Sequence, residues 1–168
     1  MSFLEFAQAI HAPALRRVAD HWNTARGGKR MAAWNAINPR EIAGELPIVW
    51  SYRYDRAADS FTGRLSGDRI AEMFGRNLRG VPMREIYPPQ DYDRLFERSK
   101  RVICEPVFYQ GVGLVFQHVA RYGQGERIML PLAEDGEHGD GLLGATVYLA
   151  QSGTPNFGTG ETDHWFAL

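Results

Sequence analysis

The chain has 168 residues, 44% of them hydrophobic and 23% charged, with a formal net charge of -1. That composition suits one globular domain with a sizeable core and provides no whole-chain field toward nucleic acid or an anionic membrane. No apolar run approaches the roughly 20 residues that span a bilayer, and the one cysteine, Cys104, leaves neither an internal disulfide nor a cysteine-based zinc site.

The start, Met1 to Ile10, carries Glu5 and Gln8 without a basic lead, unlike a signal peptide, so the expected setting is the cytoplasm. Phe3, Phe6, Ala7 and Ile10 have helical spacing. Pro13 suits the first turn of a second helix, whose Leu15, Val18, Ala19 and Trp22 form one apolar stripe before Gly27-Gly28. Asn38-Pro39-Arg40-Glu41 reads as the start of a short helix, with Asn38 as N-cap.

Ile48 to Tyr54 and Phe61 to Ser66 read as strands of a hairpin. In the first, Ile48, Trp50, Tyr52 and Tyr54 share one face. Gly67-Asp68 opens a helix that Gly75 closes, Pro82 to Tyr87 suits a helical turn, and Asp91 to Cys104 again has helical spacing. Three strands then follow in a meander: Val112 to Ala120, Glu126 to Leu132 and Leu142 to Ala150, separated by Gly-rich turns. Several of these strands are apolar on both faces, which requires two covers. The middle helices supply one; the N-terminal helix, or a second copy of the chain, supplies the other. The expected layout is a single α+β domain: a helical cap about 1–45, a core about 46–150 and a Gly-rich tail 151–168.

Six segments in order carry a family resemblance: Arg26-Gly27-Gly28-Lys29-Arg30-Met31, Ile37-Asn38-Pro39-Arg40-Glu41-Ile42, Leu46-Pro47, Arg64-Leu65-Ser66-Gly67, Phe74-Gly75-Arg76-Asn77-Leu78-Arg79-Gly80 and Leu130-Pro131-Leu132-Ala133-Glu134-Asp135-Gly136. The chain resembles a PAS domain, specifically the stand-alone PAS-like family of alphaproteobacteria. The resemblance implies a five-stranded antiparallel sheet in the order 2-1-5-4-3, with helices on one face, an N-terminal flanking helix and a possible ligand cavity beneath the helices. It supplies no catalytic residues and names no cofactor.

The five histidines, His11, His21, His118, His138 and His164, show no paired metal spacing. His118, on a strand, is read either as a cavity ligand or, more simply, as a core or edge histidine. His138 sits in an acidic turn that lacks the ligand order of a calcium loop. Cys104 lies outside any light-sensing flavin motif and reads as a packing residue. Gly158-Thr159-Gly160-Glu161 follows no strand and is no dinucleotide fingerprint, and Asp163-His164 has no nucleophile elbow to serve, Ser152 included. Arg64 stands out as a charge inside a strand: on a cavity wall it would grip a carboxylate, and otherwise it faces outward beside an acid.

The expected ligand-pocket residues are therefore Trp50, Tyr52, Arg64, Phe74, Phe96, Phe116 and His118, with no catalytic or metal residues. The expected function is a non-enzymatic sensory or interaction module. It would bind a small molecule, pair as a homodimer through the N-terminal stripe, and signal to a separate partner rather than to nucleic acid or a membrane. A ligand-free adaptor with a filled core is the alternative, and a small enzyme using the cavity is a weaker one.

Overall fold

The computed structural model describes residues 2–118, 121–148 and 160–168; for 2, 116–118 and 121–123 it describes the backbone alone. Helices α1 (Ser2–Ala9) and α2 (Pro13–Ala25) precede strands β1 (Val49–Asp55) and β2 (Ser60–Ser66). Helices α3 (Asp68–Phe74), α4 (Met83–Ile86) and α5 (Pro89–Cys104) follow, and then strands β3 (Val107–His118), β4 (Arg121–Leu132), β5 (Gly141–Tyr148) and β6 (Glu161–Ala167). The strands form one antiparallel sheet in the order β2-β1-β5-β4-β3-β6.

The expected five-strand order is present, with one correction. The tail does not stay outside the sheet, because its last segment adds a sixth strand to the edge of β3. Glu161, Asp163 and Trp165 point to one side, and Phe166 packs on Phe6 on the other. Two acids at alternate positions disguise a strand, because charge normally marks solvent. Two other corrections are smaller. Strands β3 and β4 begin earlier than expected, at Val107 and Arg121. Residues 39–45 form consecutive turns in place of the helix expected at Asn38. Asn38 Oδ1 accepts from Arg40 N, and Gly44 and Pro47 leave no room for a longer helix.

Both faces of the sheet are covered. On one, Ile128, Leu130, Leu143 and Phe108 pack against α1 and α2; on the other, Met129, Leu142 and Tyr109 pack beneath α3, α4 and α5. The stripe Leu15, Val18, Ala19 and Trp22 is 0% exposed. Of the two covers the doubly apolar sheet allowed, the chain uses its own helix, so the surface expected to join a homodimer lies inside the subunit. Trp22 Nε1 donates to Pro131 O at 2.8 Å, which pins α2 across β4. The turn between α1 and α2 is held by the buried Glu126, whose carboxylate accepts from His11 N at 2.9 Å and Ala12 N at 2.8 Å. Those amides have no helical acceptor, so an acid from β4 satisfies them.

Candidate ligand site

The candidate site lies between the sheet and helices α3, α4 and α5. Strand periodicity puts Trp50 and Tyr52 of β1, Tyr109 of β3, Arg127 of β4 and Tyr148 of β5 on this side. Trp50 lies flat over Gly144, where a Cβ would come within 2.3 Å of the ring, and its Nε1 donates to Thr146 Oγ1 at 2.9 Å. The hydroxyls of Tyr52 and Tyr87 are 3.4 Å apart. Burial, then the neighbouring Tyr87, pushes the Tyr52 phenol well up; burial raises the Tyr148 phenol too. Both therefore stay neutral and serve as hydrogen-bonding groups.

The enclosed space is small. One cavity of about 90 Å³ is bordered by Phe74, Tyr87, Leu95, Val115, Arg127 and Glu161, and a second of about 10 Å³ lies nearer Trp50 and Tyr52. The first has room for a few atoms, against several hundred Å³ in an ordinary ligand pocket.

A charged cluster closes its end. Arg127 Nε donates to Glu161 Oε1 at 2.5 Å, and its Nη2 donates to Glu161 Oε2. Arg98 of α5 donates from Nη1 to Glu161 Oε2 and from Nη2 to Asp163 Oδ1, both at 2.8 Å. Tyr109 Oη lies 2.9 Å from Glu161 Oε1 and 2.8 Å from Asp163 Oδ1, and its single proton serves one of them at a time. The Glu161 side chain is 1% exposed and that of Arg98 3%. Arg98 Nε is buried without an acceptor.

Burial opposes the charge on Glu161, but Arg127 and then Arg98 more than offset it and hold the carboxyl at about 2. Burial likewise opposes the charge on Arg127, and Glu161 more than restores it, so the guanidinium lies above its ordinary range. Glu161 and Arg127 are therefore both ionised at neutral pH.

The expected pocket residues divide. Trp50, Tyr52 and Phe74 line the small cavities. Phe96 packs on Phe61 and Tyr92, at ring separations of 5.7 and 5.6 Å. The side chains of Phe116 and His118, on β3, lie outside the described residues. Arg64 is not at the cavity. Arg64 is the extra residue of a bulge in β2, between the pairs Ser51–Leu65 and Tyr52–Gly63, and its guanidinium lies 4.5 Å from the Trp34 ring centre. It lines an open groove of about 750 Å³ with Trp34, Arg53, Arg79, Leu132 and Leu143. This groove is the larger concavity, but it is open to solvent and holds no buried polar cluster. The carboxylate grip expected of Arg64 is made by Arg127.

His138 Nδ1 lies 2.7 Å from Asp135 Oδ2 in an exposed turn. Asp163 and His164 are consecutive residues of β6, so their side chains leave opposite faces of the sheet, and Asp163 Oδ1 is engaged by Arg98 and Tyr109. Ser152 is outside the described residues. Cys104 is exposed at the end of α5, contrary to its reading as a packing residue. Among the described residues no group of three potential metal ligands clusters, and no helix is long and apolar enough to cross a membrane.

A family profile described as PAS domain matches residues 10–147. The chain belongs to the PAS domain family. The profile ends before β6, so Glu161 and Asp163 lie beyond the matched region. A solved structure titled "VqmA bound to DPO" is similar to this PAS domain in fold, with 12% identity and a TM-score of 0.52. The match covers 67% of this chain and 58% of that one, so this chain spans under two thirds of its length. No curated protein matches.

Sequence reasoning missed Arg98, Tyr109, Arg127 and Glu161. One signal was available: Glu126-Arg127 puts two charges at the head of the apolar run Ile128-Met129-Leu130, and a strand between two covers must bury one charge on each side.

Proposed function

We propose that this PAS domain is a non-enzymatic sensory module that responds to a small polar ligand bound between the sheet and α3 to α5. The observation that carries the reading is Arg127, a buried cation on the face beneath α3, α4 and α5 that borders both small cavities. A buried charge that faces a cavity is a costly feature of a core, and it suits recognition of a polar or anionic group. The ligand-bound state of the similar fold is compatible with this reading and does not transfer its ligand.

Signalling then passes to a separate partner, in the cytoplasm. The surface best suited to that partner is the open groove around Trp34. Arg53, Arg64 and Arg79 ring it, and an acidic segment would complement them. A homodimer through α2 is not part of this reading, because that stripe is buried in its own subunit.

The small cavity volume favours a second reading, an adaptor with a filled core. Native mass spectrometry of the purified chain, with an absorption scan and a thermal-shift screen of small polar acids, amides and alcohols, separates the two. A bound mass or a saturable shift supports the sensor. A clean apoprotein mass with no shift from any compound supports the adaptor and overturns the sensor.

A further inference from the structure

Arg98, Arg127 and Tyr109 arrive from α5, β4 and β3, and they converge on one carboxylate. Each of its oxygens is engaged twice: Glu161 Oε1 by Arg127 Nε and Tyr109 Oη, Oε2 by Arg127 Nη2 and Arg98 Nη1. A bidentate guanidinium and two further donors form a complete carboxylate receptor. The backbone beneath it is cut to match. Gly111 lies directly between Arg127 on β4 and Asp163 on β6, and a Cβ there would stand 1.9 Å from Glu161 Oε1. Arg98 Nε still lacks an acceptor, so the present occupant leaves one buried donor unused.

The occupant is the first residue of the edge strand, which touches the sheet only through β3. Its carboxylate also forms one wall of the cavity of about 90 Å³, whose other walls include Phe74, Leu95 and Val115. The existing cavity holds only a few atoms, and withdrawal of the Glu161 side chain would enlarge it at its polar end.

We propose that Arg98, Arg127 and Tyr109 form a binding site for a small carboxylic acid, and that Glu161 occupies it as a tethered internal ligand. A free carboxylate takes the place of the Glu161 carboxylate and puts its short apolar body among Phe74, Leu95 and Val115. The exchange frees the start of β6 from the sheet and hands the binding event to the C-terminal strand. It rests on the sensory reading above and names the ligand class. A tethered group competes at an effective concentration on the order of millimolar, so a free acid binds the wild-type protein weakly and binds far better once the tether is cut.

The probe is propionate, with propionamide as its neutral counterpart and chloride at matched ionic strength. Binding to the full chain is read by thermal shift and by tryptophan fluorescence. Trp165 is the reporter on β6, at 4.9 Å from the Tyr109 ring and with the Arg101 guanidinium 4.2 Å from its own ring. Glu161→Ala should bind propionate saturably, at least ~10-fold more tightly than wild type, and should ignore propionamide. Wild type should show a Trp165 signal at high propionate that Trp165→Phe removes, and Arg127→Met should abolish binding in either background.

Should Glu161→Ala fail to fold, Glu161→Gln, which keeps the size of the tethered group and removes its charge, takes its place in the test. Equal responses to propionate and propionamide overturn the proposal. So does saturable propionate binding in the variant with no exchange in wild type, because Glu161 is then a structural ion pair. Neither result touches the sensory reading, which survives if a non-carboxylate ligand co-purifies and fails only if none binds.

Discussion

Arg127 on β4 and Glu161 on β6 pair across an intervening strand, through the space that Gly111 leaves open. Both side chains are buried, at 8% and 1% exposed, and two hydrogen bonds join them. A pair of this kind contributes little relative to a well-packed apolar pair, but losing one partner strands a buried charge. Arg127→Met and Glu161→Gln should each cost about 3–5 kcal/mol. The double variant should cost clearly less than the sum of the two. Urea denaturation of the four proteins checks this, and additive losses would show that the two groups are not coupled.

The same pair sets a pH dependence. The folded carboxyl of Glu161 lies at about 2, below its ordinary value in an unfolded chain. Unfolded protein therefore takes up this proton first. The stabilisation is complete above roughly pH 4.5 and is lost as pH falls toward 2. The groups that face Glu161 are Arg98 of α5, Tyr109 of β3 and Arg127 of β4, with Asp163 on its own strand. Wild type should exceed Glu161→Gln in stability by a constant margin from pH 7 to about 5, and that margin should shrink below. A margin that grows on acidification would reverse the sign of this argument.

Gly111→Ala tests the close approach. The backbone there does not need a positive φ, so an added methyl group acts through space and not through strain. The methyl group and the Glu161 carboxylate cannot share the site. Overpacking of this sort costs about 1–3 kcal/mol. In a Glu161→Ala background the nearest obstructing atoms are gone and Tyr109 Oη remains at 2.5 Å, so the same change should cost less. Thermal denaturation of both pairs reads the difference.

The N-terminal helices should behave as core. Leu15→Ala removes a fully buried side chain and should cost about 2–5 kcal/mol, seen as a lower denaturation midpoint. Polar replacement of Leu15 and Trp22 should unfold the chain and not merely release monomers from dimers. Light scattering with circular dichroism separates these outcomes: a folded monomer from a dimeric wild type would contradict the packing described for α2.

The order of strands shows in exchange rates. Strands β1, β5, β4 and β3 are paired on both sides, whereas β2 and β6 are edges. Amide protons of these inner strands, Val49–Asp55 and Gly141–Tyr148 among them, should exchange slowly, and those of β6 faster. Rapid exchange through 142–146 would be incompatible with this sheet.

Much of the fold was written in local pattern. Period-two apolar residues at Trp50, Tyr52 and Tyr54, helical spacing at Leu15, Val18 and Trp22, and glycines at the turns determine strands, helices and their order by chain chemistry alone. The doubly apolar run Ile128-Met129-Leu130 even required two covers, since side chains on both faces of a strand must leave water. Which helix supplies the second cover was open, because an apolar stripe fits an own sheet as well as a partner's; three-dimensional packing decided it for α2. The carboxylate site was decided by tertiary structure entirely. Arg98, Tyr109, Arg127 and Glu161 are separated by up to 63 positions, and each reads locally as an ordinary residue of its element. Charge in sequence marks solvent, and only sheet pairing brings opposite charges from distant segments close enough to be buried together.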